Sequence, residues 1–466
     1  MSLRFLPRFL PHASAGIVLC AALAPAALHA AVDPVHEYRL DNGMKVIVKE
    51  DRRAPVVVSM VWYRAGSMDE FNGTTGVAHV LEHMMFKGTH EVPPGEFSRT
   101  IARAGGRDNA FTNRDYTAYY QQLHKSQLSL ALKLEADRMA DLLLSEEEFS
   151  KEIRVVMEER RLRTDDQPKS LLYEAFMATA YQAHPYRTPV VGWMDDLEAM
   201  HATDARAWYE RWYAPNNATL VVVGDVSAAD VFEQAQRYFG AIPAKPLAVR
   251  KPQHEPLQLG VRRVTVKAPA ELPYLMMGWH VPVLRDVAQD WEPYALWVLS
   301  AVLDGNDAAR LQRALVRDSR VAVSTGSSYD AVNRGPGLFL LSATPSAGRT
   351  VEEVEAALRE QIQRVARDGV TEEELKRVKA QVIAGQVFQR DSMFSQAMQM
   401  GALDNAGLPY DSADLQAKRL QDVTAAQVQE VAKKFFVDDS LTVAVLDPQP
   451  LPARAAAPAR AEAASK

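Results

Sequence analysis

The sequence predicts an α+β protein of two similar halves, each a mixed, mostly antiparallel sheet with helices packed on it. A repeat supports this prediction, because Ser145 and Thr371 each precede three glutamates and an apolar residue, as at a helix start. Thr203 and Thr424 form a second pair, and each begins a helix that leads to an apolar strand at the same spacing. The proline-rich segment 245–260, which has few large apolar residues, separates the halves as a linker.

The composition is that of a globular chain. Of 466 residues, 47% are hydrophobic and 24% are charged, which argues against disorder, collagen or a coiled coil. The net charge of −6 lacks the basic footprint of a nucleic-acid-binding protein, so we expect no nucleic acid partner. The single cysteine excludes an intrachain disulfide framework and a zinc site built from several thiolates.

Residues 1–30 have the pattern of a secretory signal peptide. Arg4 and Arg8 form a positive start, an apolar run over 13–27 follows, and cleavage is expected after Ala30. The alternative is an uncleaved anchor, but the run is shorter than the roughly 20 residues of a spanning helix. Cleavage would remove the one cysteine and leave no stable membrane span. A cysteine-free exported chain suits an oxidising compartment, so we expect a periplasmic protein.

Hydrophobic patterning and turn residues place the elements of the first half. Alternation around Asp41-Asn42-Gly43 indicates a hairpin with Met44, Val46 and Val48 on one face. Further patterns predict strands over 55–62, 111–120 and 220–223, and helices over 75–87, 126–142 and 145–163. The chain then divides into a signal peptide (1–30), a first domain (31–244), a linker (245–260), a second domain (261–447) and a disordered Pro/Ala-rich tail (448–466).

The stretch His79-Val80-Leu81-Glu82-His83 carries the strongest chemical signal. On a helix, His79, Glu82 and His83 share one face, because residues three and four apart are neighbours. Two histidines at this spacing can bind one zinc ion, and the carboxylate beside them can act on a zinc-bound water. This order is the inverse of the commoner H-E-x-x-H motif. The alternative is a solvated polar face that happens to contain two histidines.

A third protein ligand is expected from the helix that follows Ser145. Glu152 and Glu159 lie on one stripe of that helix with Val155 and Leu162, and either carboxylate is a candidate from its spacing. A carboxylate among apolar neighbours is a better ligand candidate than one in a charged patch. The alternative is that these glutamates only solubilise the helix.

With these residues in place, the sequence resembles the pitrilysin or insulinase-type (inverzincin) zinc metallopeptidases, and among them bacterial relatives of mitochondrial processing peptidase. The resemblance extends over nearly all of the mature chain. It implies one Zn²⁺ per chain, bound by His79, His83 and Glu159, with Glu152 as the supporting glutamate. It also implies that Asn109, Ala110, Phe111 and Thr112 form an edge strand that pairs with the substrate backbone. In such enzymes the two halves enclose a chamber.

The function implied is that of a zinc-dependent endopeptidase acting on peptides or unfolded segments. Glu82 would be the general base, taking a proton from the zinc-activated water and delivering it to the leaving amine. Two alternatives stay open: a peptide-binding or scaffold subunit of the same fold without turnover, and a metal-dependent hydrolase of a non-peptide substrate.

The second half departs from the chemistry of the first. The repeat offset places Val378 opposite Glu152 and Gly385 opposite Glu159, so the second domain is expected to be peptidase-like and metal-free. Active relatives often carry an Arg and a Tyr in this half.

Val316 and Val323 stand at those two positions, and Arg317 and Tyr329 are the nearest substitutes, although out of register. We therefore expect a homo- or heterodimer in which a relative supplies the Arg/Tyr pair and this chain supplies the zinc.

Overall fold

The computed structural model describes residues 35–251 and 253–451. The predicted signal peptide, its cleavage site and most of the predicted tail lie outside these residues. Within the described residues, no helix combines the length and the apolar character needed to cross a bilayer.

The first half consists of one sheet, the helices around it and a few single turns of 3₁₀-helix. Its strands are β1 (Val35–Arg39), β2 (Lys45–Glu50), β3 (Val56–Tyr63), β4 (Arg107–Thr112), β5 (Thr117–His124) and β6 (Ala218–Gly224). Its helices are α1 (Val77–Met84), α2 (Glu96–Arg103), α3 (Leu128–Ala140), α4 (Glu146–Arg160), α5 (Pro168–Ala180), α6 (Met194–Ala199), α7 (Ala202–Trp212) and α8 (Ala228–Phe239).

The first sheet has the order β1-β2-β6-β3-β5-β4, so β4 forms an edge. Only β2 and β6 pair in parallel, which agrees with the predicted mixed, mostly antiparallel sheet. β1 and β2 form the expected hairpin, and Met44, Val46 and Val48 are fully buried on its core face.

The strand predicted over 111–120 is wrong as a single element, because the chain reverses in its middle and forms β4 and β5. The side-chain oxygen of Asn113 accepts hydrogen bonds from the backbone N–H groups of Asp115 and Tyr116, which closes a tight turn. Apolar composition alone does not reveal such a reversal, and the turn residues Asn113 and Asp115 were the signal for it.

The second half repeats the order of the first. Its strands are β7 (Arg262–Pro269), β8 (Tyr274–Val281), β9 (Ala322–Tyr329), β10 (Gly337–Pro345) and β11 (Leu441–Gln449). Its helices are α9 (Glu292–Asp304), α10 (Val351–Asp368), α11 (Glu372–Gln389), α12 (Met393–Ala406), α13 (Ala413–Asp422) and α14 (Ala425–Phe435). The sheet order β7-β11-β8-β10-β9 matches β2-β6-β3-β5-β4, including the one parallel pair. The predicted duplication of an α+β unit is therefore confirmed.

The helices of each half pack on one face of that half's own sheet. One helix from each half also packs on the second face of the other half's sheet. Helix α5 of the first half packs on β7 and β11, where Phe176 is fully buried beside Met276 and Leu446. Helix α12 of the second half packs on β3 and β6, where Ala397 and Met400 contact the first sheet. We call this arrangement the helix exchange.

Both contacts of the helix exchange depend on a glycine facing an aromatic ring. A Cβ atom at Gly401 of α12 would lie 2.0 Å from a ring carbon of Trp62 in β3. A Cβ atom at Gly278 of β8 would lie 2.4 Å from the ring of Phe176 in α5. Only glycine allows the backbone to approach each ring this closely.

Between α8 and β7 the described residues form no helix or strand, as a linker would. At the far end, β11 continues to Gln449, because Pro448 and Gln449 pair with Ala268 and Pro269 of β7. The first two residues of the segment predicted as a tail are therefore part of the sheet.

Candidate metal centre

Helix α1 has a fixed starting point. Gly76 precedes it with φ at 88°, and a Cβ atom there would lie 2.5 Å from the carbonyl oxygen of Val191. The carboxyl group of Glu70 accepts hydrogen bonds from the N–H groups of Gly76 and Ala78, at 2.8 and 2.9 Å. These contacts satisfy N–H groups at the helix start that have no partner within the helix.

The two faces of α1 separate as the helical spacing predicts. Val77, Leu81 and Met84 are buried in the core of the first half. His79 and His83 lie on the other face, with their rings 4.9 Å apart and 80° from coplanar. The apolar face thus orients the imidazoles toward α4, against which α1 packs.

Helix α4 brings Glu159 to the two histidines. One carboxylate oxygen, Oε2, lies 3.7 Å from Nε2 of His79 and 3.7 Å from Nε2 of His83. These three side chains each place a donor atom within 4.8 Å of the other two. Ligand atoms bound to one zinc ion at about 2.1 Å in a tetrahedron lie about 3.4 Å apart, so the cluster fits such an ion.

The polar atoms of the cluster point to the same fit. Among the described residues, Oε2 of Glu159, which faces both imidazoles, is buried and has no hydrogen-bond partner. Burial lowers the pKa of His79 to about 3, with a smaller contribution from neighbouring His83, so this imidazole is neutral. Neutral imidazole is the form that binds metal.

Glu82 lies on the same face and faces the end of β4. Burial raises the pKa of Glu82 above its usual range, and a hydrogen bond from the hydroxyl of Thr112 acts in the opposite direction. That hydroxyl donates to Oε2 of Glu82 over 2.6 Å. A carboxyl with a raised pKa beside a candidate metal cluster is suited to accept a proton near neutral pH.

Glu152 contacts the cluster from behind. One oxygen lies 3.2 Å from Nδ1 of His83, and the other accepts from the ammonium of Lys87 at 2.6 Å. Burial acts to raise the pKa of Glu152, but the hydrogen bonds from His83 and Lys87 outweigh it and lower the pKa. Glu152 is therefore a carboxylate that can hold the ring of His83 in one orientation.

A cavity of about 740 Å³ opens in front of the cluster. Residues of α1, α4, α5 and the end of β4 line it, and the second half contributes Tyr274 and Met276 of β8. The two halves thus both form the wall of a chamber beside the candidate metal site.

Comparison with known proteins identifies the family. The model of the insulinase family, peptidase family M16, matches residues 45–192, and that of the peptidase M16 inactive domain matches residues 199–382. The zinc protease PqqE of Helicobacter pylori is 32% identical over 428 residues, which cover 89% of this chain and 93% of that protein. The chain belongs to peptidase family M16.

Other M16 relatives are similar over comparable lengths. The uncharacterized zinc protease YmxG of Bacillus subtilis is 26% identical, over 87% of this chain and 96% of its own length. The crystal structure of a protease from Helicobacter pylori matches with a TM-score of 0.85 and 29% identity, covering 89% of this chain and all of that chain. A peptidase M16 inactive domain from Pseudomonas fluorescens, with a TM-score of 0.81 and 19% identity, shares the fold.

The structure brings together most residues that the sequence singled out. His79, Glu82, Glu159, Ala110, Phe111 and Thr112 line the cavity. Asn109 does not, since its side chain is exposed and its oxygen accepts from the N–H of Ala110. The apolar surroundings expected from Val155 and Leu162 are wrong, because these side chains are 44% and 57% exposed.

Three polar residues of the site were missed from the sequence. Lys87 lies four residues after His83, a spacing that could have revealed it. Glu70 lies in a loop, six residues before Gly76. No local pattern predicts that its side chain forms hydrogen bonds with the N–H groups at the start of α1. Burial raises the pKa of Glu70 to about 8. Arg114 follows the turn at Asn113 and enters the cavity wall.

Helix α4 ends in a distortion next to the site. Residues Arg161–Asp165 continue α4 as a short π-helix, directly after Glu159 and Arg160. Such segments widen the helix by one residue per turn and are frequent at functional sites. No sequence pattern predicted this distortion.

The second half has no equivalent cluster in its described residues. By strand order, α9 takes the place of α1, and it contains no histidine. The segment with Val316 forms another π-helix (Gln312–Asp318), and Val323 is 52% exposed on the edge strand β9.

The two nearest substitutes for an Arg/Tyr pair are engaged elsewhere. Arg317 donates to the carbonyl of Asp307, and the hydroxyl of Tyr329 donates to the carbonyl of Pro282 at 2.6 Å. Neither side chain lines the cavity.

Proposed function

We propose that this M16 protein is a zinc-dependent endopeptidase that hydrolyses peptides or unfolded segments. The observation that carries the proposal is the cluster of His79, His83 and Glu159 with Glu82 beside it, open to a cavity. Two imidazoles and one carboxylate form the three-ligand set of a catalytic zinc site. A zinc ion bound there supplies Lewis-acid chemistry, which acidifies water and polarises the peptide carbonyl.

Glu82 is the proposed general base. Its carboxylate would accept a proton from the attacking water and then give that proton to the departing amine. Thr112 holds the carboxylate in place through the 2.6 Å hydrogen bond. The same hydroxyl stabilises the ionised form of Glu82, which is the form able to accept a proton.

Glu152 and Lys87 are proposed positioning residues. Glu152 would accept a hydrogen bond from the Nδ1–H of His83, which leaves Nε2 of that ring free to act as a ligand. Lys87 holds the carboxylate from its other side. The pair would fix the tautomer and the rotation of His83 before a substrate arrives.

The edge strand β4 is the proposed binding surface for the substrate backbone. One edge of β4 pairs with β5, and within the described residues no strand pairs with the other. An extended peptide could add to that free edge through main-chain hydrogen bonds, with little demand on its side chains. Ala110 and Thr112 would then lie beside the peptide bond to be cleaved.

The chain is proposed to work in a pair, as the zinc-binding subunit. Val316 and Val323 stand at the two positions where active relatives often carry an Arg and a Tyr. Arg317 and Tyr329 bind carbonyl groups of their own half instead. A relative that contributes the two missing side chains would complete the site.

A second candidate is a peptide-binding or scaffold subunit without turnover. Among the described residues, the second half contributes Tyr274 and Met276 but no arginine to the cavity wall, which favours it. The complete set of His79, Glu82, His83 and Glu159 favours the peptidase.

Export to the periplasm is part of the proposal. It rests on the signal-like pattern of residues 1–30 and on the lack of cysteine after Cys20.

Zinc content and cleavage of a quenched peptide library test the proposal, with the chain from Ala31 onward and its E82Q variant. Zinc near one per chain with cleavage lost in E82Q would establish a peptidase that needs no partner. Zinc without cleavage would support the paired form, to be tested by adding an M16 relative with the Arg/Tyr pair. Absence of zinc at neutral pH would contradict the proposal.

A further inference from the structure

Arg114 is a cation without a carboxylate partner in the wall of the catalytic cavity. Its Nη2 donates to the hydroxyl of Tyr173 at 3.3 Å, and its Nε is buried without a partner among the described residues. No described carboxylate lies within ion-pair distance of it. A buried N–H group without a partner is costly, so an entering anion would gain from pairing with it.

The other arginines beside the cluster differ in this respect. Arg160 makes two hydrogen bonds with the carboxylate of Glu174, at 2.8 and 3.0 Å. Arg163 lies 3.3 Å from Glu159 and is largely exposed. Their charges are therefore already compensated by the protein, whereas that of Arg114 is not.

Two tyrosines hold the guanidinium of Arg114 in place. It lies 5.7 Å from the ring centres of both Tyr173 and Tyr186, within the range of cation–π attraction. Tyr186 is itself anchored, because its hydroxyl donates to Asp115 and accepts from the N–H of Gly335 at 2.8 Å. A positioned fork of N–H groups matches the geometry of a carboxylate.

The location of Arg114 relates it to the proposed site of cleavage. It follows Thr112, which bonds the proposed base Glu82, by two residues. Arg114, Thr112 and Glu82 all line the same cavity. A group bound by Arg114 would therefore belong to a substrate residue near the cleaved bond.

We propose that Arg114 forms a subsite for a carboxylate of the peptide substrate. The proposal rests on the peptidase function above and deepens it, because it makes peptides with an acidic group near the cleaved bond the preferred class. The carboxylate could be that of an Asp or Glu side chain or of a free C terminus. Two more cations, Lys169 and Arg187, line the cavity and have no carboxylate partner among the described residues. Their positive charge also favours an acidic substrate.

Binding to zinc-loaded E82Q protein tests the subsite without requiring turnover. Fluorescent peptides of one sequence carry Glu, Gln or Lys at each position near the centre, with free or amidated C termini. Anisotropy gives the Kd of each peptide. We expect the carboxylate peptide to bind about 10-fold more tightly than its neutral match, as for a hydrogen bond to a charged group.

Substitutions then locate the preference. R114Q in the E82Q background should bring the Glu-to-Gln ratio of Kd values near one, and R114K should restore it in part. R187Q, which removes one charge from the same cavity, should keep most of the ratio, because Arg187 is exposed and water and salt screen its charge. A preference for the free C terminus would assign the terminal carboxylate, and one for internal Glu would assign a side chain.

Two results would overturn the subsite. Equal binding of Glu and Gln peptides, together with equal binding of free and amidated C termini, would refute it and leave the peptidase proposal intact, as would an equal loss of preference in R187Q and R114Q. Failure of every peptide to bind would contradict the proposed function as well.

Discussion

Replacing Gly401 by alanine should destabilise the protein, although alanine is the better helix former. Gly401 lies inside α12, where the second half packs on the first sheet, and its added methyl group would overlap the ring of Trp62 at 2.0 Å. Trp62 is 1% exposed, so its ring has no free space to move into. The overlap must be relieved by moving the helix, the ring or both.

A matched substitution isolates the size of this effect. Gly385 also lies inside a helix, α11, but a Cβ atom there would meet nothing within 4 Å. Alanine in place of either glycine gains about 1 kcal/mol of helix propensity. Overpacking a well-packed core costs about 1–3 kcal/mol, and only Gly401 incurs that cost. G385A should therefore be more stable than G401A by about 1–3 kcal/mol.

Urea unfolding measures the difference, followed by tryptophan fluorescence and by circular dichroism. The free energies come from linear extrapolation, with the slope m compared among the wild type and both variants. G385A should unfold at higher urea than the wild type, and G401A at lower urea. Equal midpoints for the two variants would refute the reasoning, since they would mean that Trp62 and α12 are not in close contact.

Three further predictions concern the site and the core. E152Q should weaken zinc binding about 10-fold in a chelator competition assay, whereas E158Q, at an exposed position of the same helix, should not. R138M should cost about 3–5 kcal/mol in urea unfolding, because it leaves the fully buried Glu135 without its cation. Burial lowers the pKa of His184 to about 4, so the unfolded chain binds more protons and stability falls as the pH drops from about 6.5 toward 4. H184N should reduce this loss, which amounts to at most about 3 kcal/mol, in unfolding midpoints measured across that range.

Each of these predictions has an outcome that contradicts it. Equal zinc affinity in E152Q and E158Q would show that Glu152 does not support the centre. If R138M combined with E135L is no more stable than R138M alone, the unpaired carboxylate is not the cause. An unchanged pH dependence in H184N would assign the acid sensitivity to other groups.

The elements of the site that could be predicted from the sequence depend on short-range spacing. The positions of His79, Glu82 and His83 follow from the helical repeat, and the hairpin at Asp41-Asn42-Gly43 follows from its turn residues. Glu159 required more, because spacing alone left it equivalent to Glu152. The packing of α4 on α1 separates them, with Glu159 at the imidazole Nε2 atoms and Glu152 at Nδ1 of His83.

Long-range features could not be read from local patterns. The largely apolar sequences of α5 and α12 indicate that each is mostly buried, but not that each packs on the other half's sheet. Arg114 belongs to the turn between β4 and β5, and a turn position does not predict a role for the side chain. Only the fold shows that its guanidinium lies near the rings of Tyr173 and Tyr186. The same holds for Glu70, whose hydrogen bonds to the start of α1 join segments without a shared periodicity.

The helix exchange also determines the order in which the molecule can be completed during synthesis. The first sheet has all its strands once Gly224 has been made, yet α12, which covers its second face, ends at Ala406, about 180 residues later. At about 5–20 residues per second, that apolar face waits roughly 10–35 s for its cover. Folding of the first sheet therefore cannot finish on its own, and a nascent chain halted between the two halves would be prone to aggregate.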